Sequence, residues 1–213
     1  MDGICRIGMT ATNVSGAGIM LMANSYPVVS LAATNPVSTL IEELQFTLGE
    51  GPCVDAYCQT NPIAENDLSG AGARWPAFTR SALDAGVRAI FGFPISVGPV
   101  CIGALSLYRD CPGSLTDDQR RSALAVAALA GRRIIALQTH AEVGEVAAEF
   151  SPMLQRCEAV HQATGMVSVQ LGVSVASALL CLRARAFAND SGLTELSGDV
   201  VARRLRFAPE CEE

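Results

Sequence analysis

Two short apolar runs, GAGIMLM and PVVSLAA, flank the polar tetrad ANSY early in the chain, which is the pattern of a β-hairpin. Behind Pro36, Val37, Leu40, Ile41 and Leu44 recur at helical spacing, so PVSTLIEELQF reads as a helix with proline in its first turn. LGEGPC ends it, with Gly49 and Gly51 on either side of Glu50. PIAEND reads as a short edge strand. WPAFTRSALDAG reads as a helix that tolerates Pro76 at its start and stops at Gly86. VRAIFGFPI and VCIGALSLYR are two more strands, joined at SVGP. About five strands, mostly antiparallel and interleaved with helices, predict an α+β domain on one antiparallel sheet.

From Thr116 the period changes. TDDQ places a Thr cap three residues before Gln119, the start of a helix predicted to reach about Ala147. Within it Leu124, Ala128, Gly131 and Ile135 form a stripe that suits close helix packing, as in a dimer. FSP predicts a kink or break at 150–152. A second helix from Met153 to Leu171 carries Met153, Cys157, Val160, Thr164, Val167 and Leu171 on one face and ends at Gly172. Ser174 caps a third helix to Asn189, and Thr194 opens a last one predicted to run through Arg206. The chain thus divides into a mixed domain over 1–140, a helical linker over 141–152, a three-helix domain over 153–207 and an acidic tail over 208–213.

Half of the 213 residues are apolar and 17% are charged, which excludes wholesale disorder. All fifteen basic residues are arginine. The absence of lysine removes Schiff-base and P-loop chemistry, and with them a lysine-dependent receiver switch. MDGICRIGMT lacks the apolar core of a signal peptide, and SALAVAALAGRRIIAL is split by Arg132 and Arg133, so no membrane span is expected. The expectation is a cytoplasmic protein whose eight cysteines are reduced. Without a CxxC pair, and with only His140 and His161, no metal site or other cofactor is expected. No nucleophile-elbow, zincin, P-loop or Rossmann motif is present, so the chain is not expected to be an enzyme. Charge is unevenly spread: Arg156 to Phe207 holds six arginines against four acids, a net of +2, within a chain of net −6. That asymmetry suits a polyanionic partner, and it equally suits helices whose arginines are merely solvated.

VHQATGMVSVQLGVSVASALLCLRARAFANDSGLTELSGDVV resembles the ANTAR domain, a three-helix RNA-binding module of bacterial antiterminators. The resemblance rests on Ala163-Thr164-Gly165, on Leu171-Gly172-Val173-Ser174, and on Ala178, Leu182 and Ala186, in order and at the family's spacing over residues 150–207. Thr164 and Gly192 depart from it, standing where that family often carries basic residues. LGEGPCVDAYCQTNPIAENDL is similar to part of the GAF domain, a small-molecule sensor fold, and the likeness extends over about residues 5–138. Together these resemblances imply a homodimeric transcription antitermination regulator. It would bind paired RNA stem-loops in leader transcripts, under control of an unknown small-molecule ligand in the sensor domain.

The residues assigned to RNA are His161, Gln162, Thr164, Gly165, Arg183, Asn189, Arg203, Arg204 and Arg206. Arginines neutralise phosphate, and the polar side chains reach unstacked bases. Arg183 and Arg185 diverge by about 200° around a helix, so one of them faces inward. Arg203 and Arg206 share a face if the last helix reaches them. Gly165 costs its helix roughly 1 kcal/mol relative to alanine, which suggests close approach by another helix or by RNA. For the sensor ligand the candidates are Met20, Cys53, Tyr57, Phe91 and Phe93, with Met22 and Trp75 near them; all of them serve equally well as ordinary core. Two alternatives remain open: the helical tail binds DNA, or it only mediates dimerisation.

Overall fold

The computed structural model describes residues 1–23, 26–140, 145–189 and 191–208, with side chains described for all of these except 23, 26–28, 71–73, 138–140 and 145–157. The chain divides into two compact units, Met1–Val146 and Ala147–Glu213.

The first unit runs α1 (Asp2–Thr12), β1 (Gly16–Ala23), β2 (Tyr26–Ala33), α2 (Pro36–Leu48), α3 (Pro52–Gln59), β3 (Ile63–Glu65), a 3-10 turn (Leu68–Ala73), α4 (Pro76–Asp84), β4 (Ala89–Val97), β5 (Val100–Arg109) and α5 (Asp117–His140). Its strands form one five-stranded sheet in the order β2-β1-β5-β4-β3, every pair antiparallel. This is the α+β architecture expected. The apex of the β1–β2 hairpin, Asn24 and Ser25, lies outside the described residues.

Register decides which side chains share a face. Gly16 pairs with Tyr108, Gly18 with Ser106 and Met20 with Ala104, whereas Phe91 pairs with Leu107 and Phe93 with Leu105. Because side chains alternate along a strand, Gly16, Gly18 and Met20 share one face with Ser106 and Tyr108, and Phe91 and Phe93 share the other with Leu105 and Leu107. Helices α2, α3 and α4 cover the first face, where Ile41, Trp75, Phe78, Ile90 and Tyr108 form the main core. Helices α1 and α5 cover the second, with Gly8 against Leu107 and Gly131 against Ile95 and the Ser96 carbonyl.

Caps fix the helix starts. Asn35 accepts from the Ser38 N–H at 2.8 Å and from the Tyr108 hydroxyl at 3.1 Å, so one side chain caps α2 and ties it to β5. At α5, Thr116 and Gln119 close the reciprocal capping box: the Gln119 N–H donates to Thr116 Oγ1 and the Thr116 N–H to Gln119 Oε1. Glu50 explains the Gly-Glu-Gly turn. Its Oε1 accepts the N–H groups of Ala77 and Phe78, both at 2.8 Å, so it caps α4 from a distant loop. Gly49 and Gly51 supply the positive φ values, 68° and 129°, that this turn needs.

The second unit holds α6 (Glu145–Leu171) from Ala147 onward, α7 (Val175–Ala188) and α8 (Leu193–Val201). Val160, Ala163, Val167, Ala178, Leu182, Ala186, Leu193, Leu196 and Val200 are buried in it. Gly172, at φ 66°, ends α6, and the Ser174 hydroxyl accepts from the Ser177 N–H to start α7, as the pattern predicts. Two expectations fail. Of the kink or break expected at 150–152, the break does not occur: helix α6 is continuous there, because an interior proline removes one backbone bond without ending the ladder. Helix α8 stops at Val201: the Asp199 carbonyl takes the N–H groups of both Arg204 and Leu205, and Arg203 turns left-handed at φ 60°. The expected continuation of α5 to Ala147 crosses 141–144, which lies outside the described residues.

Candidate functional site

Helix α2 lies along β1 in step with it. A Cβ on Gly16 would sit 2.5 Å from Ser38 Oγ, and one on Gly18 would sit 2.5 Å from Glu42 Oε1. One helical turn on from Glu42, Phe46 packs against Met20, Met22 and Val54, joined by Tyr57. The two glycines draw α2 onto the sheet at one end, and the two methionines hold it off at the other.

Glu42 is only 1% exposed, and neither of its carboxyl oxygens has a hydrogen-bonding partner. Burial pushes this carboxyl up to about 8, and the Ser106 hydroxyl, close to it but outside hydrogen-bond geometry, pulls the other way. Gln45, fully buried, accepts the Cys53 N–H on Oε1 at 2.8 Å but leaves Nε2 unpartnered, and the buried Ser106 hydroxyl makes no hydrogen bond. The Cys53 thiol completes the cluster. Burial and, after it, the charge of Glu42 raise its pKa, so it stays protonated. Cys5 is likewise pushed up, to about 12, chiefly by burial. These are the conditions of inert thiols.

Of the ligand residues expected, the fold brings Met20, Cys53 and Tyr57 to one face of the sheet and Phe91 and Phe93 to the other. Alternation along β4 thus divides these five candidates between the two faces of the sheet. Phe91 and Phe93 instead line a cavity of about 60 Å³ with Ile63, Ser114, Leu115 and Arg120. Trp75 belongs to the core, its indole N–H donating to Asp55 at 3.2 Å. Glu42, Gln45 and Ser106 were not foreseen. The available signal was that Ser38, Glu42 and Gln45 recur at helical spacing on α2. The apolar count favoured a face including Leu40, which is 38% exposed.

In the second unit Gly165, Met166, Val169 and Gln170 on α6 line an open groove of about 590 Å³ with Arg203 and Arg206. No heavy atom comes within 4 Å of where a Gly165 Cβ would stand, so nothing in the chain fills the space that this glycine leaves. Arg204 turns away and pairs with Asp199 at 2.6 Å. Phe207 is pinned by its N–H to Gln170 Oε1 at 2.8 Å, and the Arg185 guanidinium lies 5.6 Å from its ring centre. Arg203 and Arg206 therefore flank one groove, but through a left-handed turn rather than the helical face expected. His161, Gln162 and Asn189 are exposed. Arg183 is buried at 7%, which makes it the inward member of its pair, and Thr164 is buried with its hydroxyl on the Val160 carbonyl. The dimer stripe also divides: Leu124 and Ala128 are exposed, whereas Gly131 packs on its own sheet.

Among the described residues no group of three His, Cys, Asp or Glu side chains could hold a metal ion, and no single helix is long and apolar enough to cross a membrane. The sequence pattern that defines the GAF domain matches residues 1–134. The chain belongs to the GAF domain family. Among solved structures it is similar to the domain of a protein described as a two-component sensor histidine kinase from Sinorhizobium meliloti, at 19% identity and a TM-score of 0.53, covering 64% of this chain and 89% of that one. It is also similar to a GAF domain/HD domain protein from Geobacter sulfurreducens, at 14% identity and a TM-score of 0.52, covering 66% and 93% of the two chains. The GAF domain of a phosphoenolpyruvate-protein phosphotransferase from Acinetobacter aligns at 14% identity and a TM-score of 0.51, covering 67% and 84%. None of the curated proteins matches the chain. At these identities the likeness is one of fold.

Proposed function

We propose that this protein is a cytoplasmic, non-enzymatic regulator of transcription antitermination. In this reading the three-helix second unit is an ANTAR module that binds paired RNA stem-loops, and the GAF domain sets when it does so in response to a small molecule. The observation that carries the reading is the groove between α6 and the segment after α8. It is open, it is floored by a glycine with no neighbour, and Arg203 and Arg206 stand at its rim. Such a groove admits an unstacked base while the two guanidinium groups meet the adjoining phosphates. The protein acts as a dimer through the exposed part of α5, where Leu124 and Ala128 lie.

Gel-shift titration with paired hairpin RNA and with duplex DNA, each at two salt concentrations, tests this function. Hairpin RNA is expected to bind more tightly, and Arg203→Ala/Arg206→Ala is expected to weaken that binding and reduce its salt slope by roughly two. A preference for duplex DNA assigns the tail to DNA instead. Absence of binding to either nucleic acid leaves it a dimerisation element.

A further inference from the structure

The chain itself leaves the Glu42 carboxyl without a partner. One turn further along α2, Gln45 holds an unpaired amide nitrogen, and on the facing strand β5 the Ser106 hydroxyl also lacks a hydrogen bond. All three residues are at most 2% exposed. Buried polar groups are ordinarily satisfied, so three unsatisfied ones in one cluster mark a place built for something other than packing. Their surroundings have a direction. Beyond the cluster lie Met20, Met22 and Val54, and beyond those the half-buried Phe46 and Tyr57. An apolar wall ending in a few convergent polar groups is the general form of a small-molecule site, and methionines repack readily around an entering ligand.

The polar floor specifies the head group. An ionised carboxylate accepts hydrogen bonds and attracts positive charge, a hydroxyl accepts as well, and the Gln45 amide nitrogen donates. The titratable groups coupled to Glu42 are the Cys53 thiol from α3 and the Cys5 thiol from α1, and both stay protonated. Thr79, from α4, is another buried hydroxyl in the first unit and does not titrate. We propose that Glu42, Gln45 and Ser106 form the floor of a site for a small organic cation, whose N–H-rich ammonium or amidinium head meets Glu42 and whose apolar body lies along Met20, Met22 and Val54. This rests on reading the first unit as a sensor domain and supplies the class of its ligand. Glu42 ionises when the cation arrives, so binding releases a proton to solvent.

Calorimetric titration of the full chain with benzamidine tests the site, using buffers of different ionisation heat and the neutral isostere benzamide as control. At pH 7 saturable benzamidine binding is expected with release of close to one proton per ligand, falling towards none at pH 9.5. Benzamide is expected to bind at least tenfold more weakly, and Glu42→Gln to lose at least tenfold in benzamidine affinity together with the proton release. Absence of saturable benzamidine binding, equal affinity for benzamide, or binding without proton release in the wild type each overturns the proposal. The proton count needs no variant, so it decides the matter even if Glu42→Gln does not fold. Hairpin RNA binding is measured without benzamidine, so its failure overturns the antitermination reading while leaving this site standing.

Discussion

Glu42 gives the first unit a stability that depends on pH in an unusual direction. Its carboxyl rises from an ordinary 4.5 to about 8 on folding, so the folded chain holds that proton more tightly than the unfolded chain. The associated stability is complete below pH 4.5 and is lost progressively as pH rises to about 8, the opposite of a paired surface carboxylate. Urea unfolding at pH 5 and pH 8 is expected to show the wild type losing several kcal/mol relative to Glu42→Gln across that window, with the variant the more stable of the two at pH 8. Two glycines make the opposite comparison at the same scale. Gly18→Ala would place a methyl 2.5 Å from Glu42 Oε1 and is expected to destabilise the fold by about 1–3 kcal/mol in urea. Gly165→Ala meets nothing within 4 Å and is expected to stabilise its helix by about 1 kcal/mol while weakening hairpin RNA binding several-fold. Greater stability with poorer binding is the signature of a residue kept for its missing side chain; unchanged binding would remove Gly165 from the interface.

Among elements, α4 depends on a residue from another part of the chain. Glu50→Ala removes the acceptor of two backbone N–H groups at its first turn and is expected to cost about 1–2 kcal/mol, read as a lower urea midpoint. That dependence shows where sequence reading works and where it does not. The five strands were legible because their apolar runs are bounded by turn residues, and the start of α5 because Thr116 and Gln119 form a capping pair that is local in sequence. Helix α1 was missed because its buried positions include the small or polar Cys5, Gly8 and Thr12, and because Met1 offers no capping side chain. Helix α3 was missed because Gly51-Pro52 reads as a break, although proline also fits a first turn. The last helix was read through Arg206, too far, since nothing local announces that the Asp199 carbonyl captures two N–H groups. Glu42 was hidden for a related reason: a period locates a helix face only to within a residue, and burying an acid contradicts the rule used to choose the face.

At the level of the whole molecule, the uneven charge and the exposed part of α5 make separate claims. Ala128 is exposed on a helix whose neighbouring Gly131 is committed to its own sheet. Ala128→Glu is therefore expected to leave the fold intact and to convert the proposed dimer to monomer on a sizing column; a surviving dimer would place the interface elsewhere. A further consequence follows from Trp75, the single tryptophan of the chain, buried at 1% exposure with its indole N–H on Asp55 and Phe78 edge-on at 6.1 Å. Its emission is an optical label that nature has confined to the unit Met1–Val146, beside α3 and α4. Far-ultraviolet ellipticity, by contrast, sums the helices of both units. Recording the two signals in one melt assigns each transition to its half of the molecule without any added dye.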